Sequence, residues 1–237
     1  MMTVMFLKQK LDAFQMFKWY LARVEKETGK SLKCLRYDGG GEFTSREFEE
    51  FCNERGIKRQ TSAPRTPPQN GIVEVRNRAV INYARTVMME KNIALKYSRE
   101  AISTVVYTLN RVQVKKGTNA KPFELWYGHS PNVKHFKICG CKFYIYKESR
   151  NGKFDAKSEE GIFLSYSTRS KAYKCLNVNT TKLVKSMNVR FDELVEVQNV
   201  KSIKKVEEYK TFVYFYEGMP NEGEVANQQH TSVSAES

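Results

Sequence analysis

A chain of 237 residues, 41% of them apolar, with 14 Phe and 13 Tyr, can bury a sizeable core. Its length suits one large domain or a medium domain with a smaller companion. No run approaches the roughly 18 apolar residues of a membrane span, and MMTVMFLKQK lacks both the apolar length and the small-residue cleavage site of a secretory signal.

Forty Lys+Arg against 26 Asp+Glu give +14 and a pI near 9.5. Four glutamates and no Lys or Arg lie from Tyr216 onward, so the preceding residues carry +18. Such an excess favours a polyanion, most simply nucleic acid, and no basic amphipathic anchor for an acidic membrane stands out. The five cysteines form no CxxC pair; Cys139 and Cys141 suit packing on one strand face better than zinc ligation. They point to a reducing compartment, the nucleus or the cytoplasm, and not to secretion.

In chain order, residues 3–7 read as a strand. A helix follows from Lys8 to Thr28 on the spacing of Leu11, Phe14, Phe17, Leu21 and Val24, with Gly29 as its stop. LKCLR (32–36) is a short strand ending before Asp38, and Thr44–Glu47 fits a capping box for a helix running to Gly56. IKRQTS (57–62) is a third strand, and APRTPPQNG (63–71) a proline-rich loop. Helices are expected at about 72–91, on Ile72, Val73, Val80, Tyr83, Ala84 and Val87, and at 97–111, on Ala101, Val105, Val106 and Leu109. KPFELWYGHSP is a connector. From Lys137 to Glu193 short alternating runs predict a small β-barrel or sandwich, and the polar, acidic end reads as a tail. The order is α/β, then β.

Asp38 follows a strand and Glu74 opens a helix, with 35 residues between them. Two carboxylates brought to ~4 Å repel by about 4 kcal/mol at an effective dielectric near 20, so a shared proton or a bound cation must offset them. Acidic oxygens suit Mg²⁺ or Mn²⁺, ions that serve phosphoryl transfer. Locally, Asp38 is equally an ordinary turn residue, and Glu74 a helix-start carboxylate paired with Arg78. Trp126 and Tyr127 read as packing rather than base-stacking residues, and Lys115, Lys116 and Lys121 as generic phosphate binders.

LRYDGGGEFTSREFEEFCNERGIKRQTSAPRTPPQNGIVEVRNR (35–78) resembles the integrase core of copia-type LTR retrotransposons. The likeness continues through LNRVQVKKGTNAKPFELWYGHSPNVKHFKICGCKFYIY and on through SEEGIFLSYSTRSKAYKCLNVNTTKLVKSMNVRFDEL, covering residues 3–195. The resemblance implies an α/β ribonuclease H-like core, a mixed sheet flanked by helices, followed by a small SH3-like β-barrel module. The implied boundaries are core 1–118, connector 119–136, β module 137–195, and linker with disordered acidic tail 196–237.

Of the D,D,E triad that binds two divalent metals, the second Asp falls on Asp38 and the Glu on Glu74, making them the catalytic and metal residues. Arg65, Gln69, Asn70, Arg76 and Arg78 are the implied nucleic-acid contacts, with Arg85 adding charge. The implied function is DNA integration, with element ends and target DNA as partners, Mg²⁺ or Mn²⁺ as cofactor, and a homo-oligomer as the acting form.

The sequence departs from the pattern at several points. No acidic residue precedes Asp12, which lies in a predicted helix, so the first Asp is absent and the core is expected to be truncated at its N-terminus and inactive alone. The upstream zinc-binding module is not in this sequence. Tyr37, Gly39 and Val75 replace the family's Ser, Asn and Arg. A non-catalytic nucleic-acid-binding remnant or domesticated protein, and a protein-interaction scaffold, are the alternatives.

Overall fold

The computed structural model describes residues 1–7, 9, 11–37, 43–61, 67–146, 157–167, 170–193 and 211–216, with the backbone alone at 61, 67–74 and 211–216. Strand β1 (Met2–Leu7) is followed by helix α1 (Asp12–Thr28), β2 (Cys34–Tyr37), α2 (Arg46–Glu54) and β3 (Lys58–Thr61). Helices α3 (Pro67–Glu90), α4 (Ser98–Val112) and α5 (Pro122–Tyr127) come next. Then come β4 (Lys142–Tyr146), β5 (Ser158–Tyr166), β6 (Tyr173–Asn177), β7 (Leu183–Ser186), β8 (Val189–Asp192) and β9 (Thr211–Tyr216). Among the described residues no helix is long and apolar enough to cross a membrane.

Strand β1 is the pivot of the core because both its faces are covered. Its alternation sends Met5 and Leu7 to a cluster with Ala13, Phe17 and Leu21 of α1 and Phe48 and Cys52 of α2. Met2, Val4 and Phe6 go to a second cluster with Val80, Ala84 and Met88 of α3 and Ala101, Ile102 and Val106 of α4. The side-chain amide of Asn110 accepts from the Met2 N–H at 2.9 Å and donates to the Met2 carbonyl at 2.6 Å. A buried amide thus takes the hydrogen-bonding place of a neighbouring strand.

Several element boundaries differ from the sequence reading, each for a local reason. α1 stops at Gly29, whose φ of 65° suits glycine, as expected, but Leu11 stands outside the helix and is 86% exposed. The cap of α2 is Ser45 rather than Thr44; its hydroxyl accepts from the Phe48 N–H at 3.2 Å, and this register turns Phe48 and Cys52 inward. α3 starts at Pro67, inside the stretch read as a loop, because prolines suit a helix's first turn, where their missing N–H costs nothing. Tyr83, assigned to its apolar stripe, is 56% exposed; Val80, Ala84 and Met88 form the buried face. The connector contains α5, too short for periodicity to reveal.

The core strands pair as two ladders rather than one sheet: β2 with β3 in parallel, and β1 with β9 antiparallel, from Met2↔Tyr216 to Leu7↔Thr211. β9 falls within the stretch read as linker and tail. Its sequence TFVYFY is β-branched and aromatic, a strand composition masked by polar flanks. The acidic end after Tyr216 lies outside the described residues.

The β module is a five-stranded antiparallel sheet in the order β7-β6-β5-β4-β8. Only Met187 and Asn188 join its two outermost strands, so the sheet must curl until its edges meet, as a small barrel does. Phe143, Phe163 and Cys175 fill its interior, while Ile162 and Leu164 on the other face of β5 join the core cluster of α3 and α4. The buried Thr104 hydroxyl on α4 donates to the Leu164 carbonyl at 2.7 Å.

Candidate metal and nucleic-acid site

The β2–β3 ladder sets the geometry. In its parallel register Tyr37 lies opposite Thr61, so both strands end side by side at one edge. Asp38 follows Tyr37 directly, and the chain leaving Thr61 reaches α3 through 62–66. The exit carrying Asp38 and the approach to α3 therefore leave from one edge of the ladder. Asp38 and Arg65 themselves lie outside the described residues.

Two aromatic rings pack on either side of residues 38–42, which lie outside the described residues. Tyr37 meets Phe43 edge-on at 5.8 Å and Phe48 at 5.9 Å, and Phe43 is buried in the α1–α2 cluster. The five residues 38–42 thus span between two anchored rings. Sequence reasoning treated Tyr37 only as a departure; the aromatic residues bracketing the glycines were the available signal.

Glu74 is the eighth residue of α3, about 10 Å along the axis from Pro67, not in the first turn as expected. The helix-dipole reason for its placement therefore falls away, since the effect fades within a turn. At 100° per residue, positions 74, 78, 82 and 85 follow one stripe. Arg78 and Arg85 are exposed there, and Arg85 donates to the Asn82 side chain at 3.3 Å. Arg76 lies almost opposite Arg78 around the helix and is half-buried, so the two do not share a face. Gln69 and Asn70 belong to the first turn of α3 instead of to a loop. Val75 is exposed beside the stripe.

Other candidate groups are engaged elsewhere. Lys121 pairs with Glu124 at 2.8 Å. Glu124, accepting from the Lys121 N–H, the Lys121 ammonium and the Ser130 hydroxyl, has its carboxyl pulled down to about 2. Arg59 is paired with Glu49. Tyr127 packs on Phe123 with centroids 4.6 Å apart. Burial pushes the Cys139 and Cys141 thiols up to about 12 and about 11, and Cys139 donates to the Leu164 carbonyl at 3.3 Å, a packing role rather than that of thiolate ligands. Among the described residues no group of three or more His, Cys, Asp or Glu could hold a metal ion.

A second cluster joins the modules. Arg111 lies 3.5 Å over the Tyr107 ring and 4.6 Å from that of Phe123. Tyr107 stacks on Tyr166 of β5 at 4.5 Å, and its hydroxyl meets His135 Nε2 at 2.9 Å.

Comparison with known proteins finds relatives of the chain. Residues 139–205 match the retroviral polymerase SH3-like domain. Over 185 residues, 77% of the chain, the sequence is 35% identical to the retrovirus-related Pol polyprotein from transposon TNT 1-94 of Nicotiana tabacum. Over 178 residues, 75% of the chain, it is 32% identical to that from transposon RE1 of Arabidopsis thaliana. The chain spans 14% and 12% of the lengths of these relatives. Among solved structures, the HTLV-2 integrase catalytic core domain in complex with magnesium is similar at 22% identity, covering 51% of this chain and 72% of that one, with a TM-score of 0.38.

Proposed function

The chain belongs to the retrovirus-related Pol polyproteins, and on that premise we propose that it is the integrase segment of such a polyprotein, a DNA-handling module descended from a metal-dependent polynucleotidyl transferase. The observation that carries the reading is the Tyr37↔Thr61 register, which gives the Asp38 exit and the approach to the Glu74 helix a common edge. Two carboxylates fit a hard divalent cation, Mg²⁺ or Mn²⁺, and Asp38 and Glu74 would hold it. Bound there, the ion would polarise a phosphoryl oxygen and activate an attacking one. Arg78 and Arg85, on the stripe of position 74, would neutralise backbone phosphates, with Arg65 before α3 and Arg76 on its far side adding charge, and Gln69 and Asn70 in its first turn offering hydrogen bonds.

A non-catalytic nucleic-acid binder is the second reading. It is favoured by the +18 on the residues before Glu217, which requires no metal. Both readings require DNA binding, and duplex affinity measured from 50 to 200 mM salt tests it. Several neutralised phosphates give a steep fall of log K against log salt; a flat line rejects both and leaves a scaffold.

A further inference from the structure

We propose that one edge of β1 is a strand-docking site and that β9 is its resident ligand, a strap that releases without unfolding the core.

The alternation of β1 decides which backbone groups β9 covers. Met2 commits its N–H and its carbonyl to the Asn110 side chain, so these groups face away from β9. Successive residues of a strand turn their backbone groups to opposite edges, so those of Thr3, Met5 and Leu7 face β9. Their partners in the antiparallel register are Phe215, Val213 and Thr211. Val4 and Phe6 point to the Asn110 edge.

β1 is held in place independently of β9. Met5 and Leu7 are buried with α1 and α2, Met2 is buried with α3 and α4, and Asn110 ties Met2 to α4. The one ladder that β9 forms among the described strands is with β1. It also stands apart from the β module, whose strands β4–β8 form their own sheet before residues 193–210 lead on to β9. A segment held through one ladder opens before a strand packed on both faces, so β9 can leave while β1 keeps its packing.

Release exposes the N–H and carbonyl groups of Thr3, Met5 and Leu7 along one edge, the surface with which an extended chain pairs. The strand that fills it, TFVYFY, carries neither charge nor proline, two features that blunt an exposed edge. Pairing β1 with β9 in one chain hides both from other chains. A permanent core strand is the rival explanation, and it requires β9 and the core to lose structure together.

The test is residue-resolved amide hydrogen exchange of the full chain, for wild type, Val213→Pro and Tyr214→Pro. Proline at 213 removes the N–H that faces Met5, whereas proline at 214 removes one that faces away from β1. Val213→Pro should speed exchange at Thr3, Met5 and Leu7 by about tenfold or more while amides of α1 and α4 stay protected. Tyr214→Pro should leave the three near wild type. A synthetic peptide of residues 208–219, added at millimolar concentration to the Val213→Pro chain, should restore their protection. Wild-type exchange as fast as that of Val213→Pro overturns the strap, and an equal loss in both proline variants overturns the assigned edge. Protection lost in α1 and α4 together with β1 makes β9 a permanent core strand and overturns release. Protection that the peptide fails to restore overturns the docking site.

Discussion

His135 sits where three segments meet, between the Tyr107 hydroxyl of α4, the Phe136 ring and Tyr166 of β5. Burial first, and the Arg111 guanidinium second, hold its imidazole below the ordinary value of 6.5. Between the folded value and 6.5 the unfolded chain takes up a proton that the folded chain refuses. Stability from this site is therefore full above pH 6.5 and is lost as pH falls through the folded pKa. Thermal melts at pH 7.5 and 5.5 should show a drop in wild type that His135→Gln reduces; an equal drop in both would assign the pH effect to other groups. None of this was legible in the sequence, where residues 107, 111, 135 and 166 share no motif and meet only through tertiary packing. Asp38 is the opposite case. Its position after a strand and before glycines, between two aromatic residues, was readable at once, while the packing of Tyr37 and Phe43 on Phe48 was not, because ring contacts depend on how α2 folds back.

Among the elements, those with strong periodicity or punctuation were legible: α1 with its glycine stop, α4 with its apolar face, and the alternating strands of the β module. Elements governed by competing rules were not. Prolines 67 and 68 break a helix in its interior but start one at its first turn, and only the surroundings decide which. β9 was hidden because its partner, β1, lies at the other end of the chain. The turn before β4 shows the same dependence on distant contact. Gly140 has φ of 87°, and a Cβ there would lie 2.5 Å from Lys91 Cβ at the end of α3. Gly140→Ala should destabilise by about 1–3 kcal/mol through strain and overpacking, read as a lower urea midpoint. An unchanged midpoint would mean that this approach of connector to helix contributes nothing.

At the scale of the molecule, α4 is the shared wall. Ala101, Ile102 and Val106 pack in one cluster with Met2 of β1 and with Ile162, Leu164 and Leu176 of the β module. The module is therefore joined to the core by buried apolar surface and by the Thr104–Leu164 hydrogen bond, not by a tether alone. The proposed cation site rests on the two carboxylates. The most direct measurement is Mn²⁺ binding to the full chain by calorimetric titration, for wild type, Asp38→Asn and Glu74→Gln. A joint site predicts binding in wild type that either substitution weakens at least tenfold. Wild-type binding that survives both substitutions, or no wild-type binding at millimolar Mn²⁺, would contradict a cation site formed by Asp38 and Glu74.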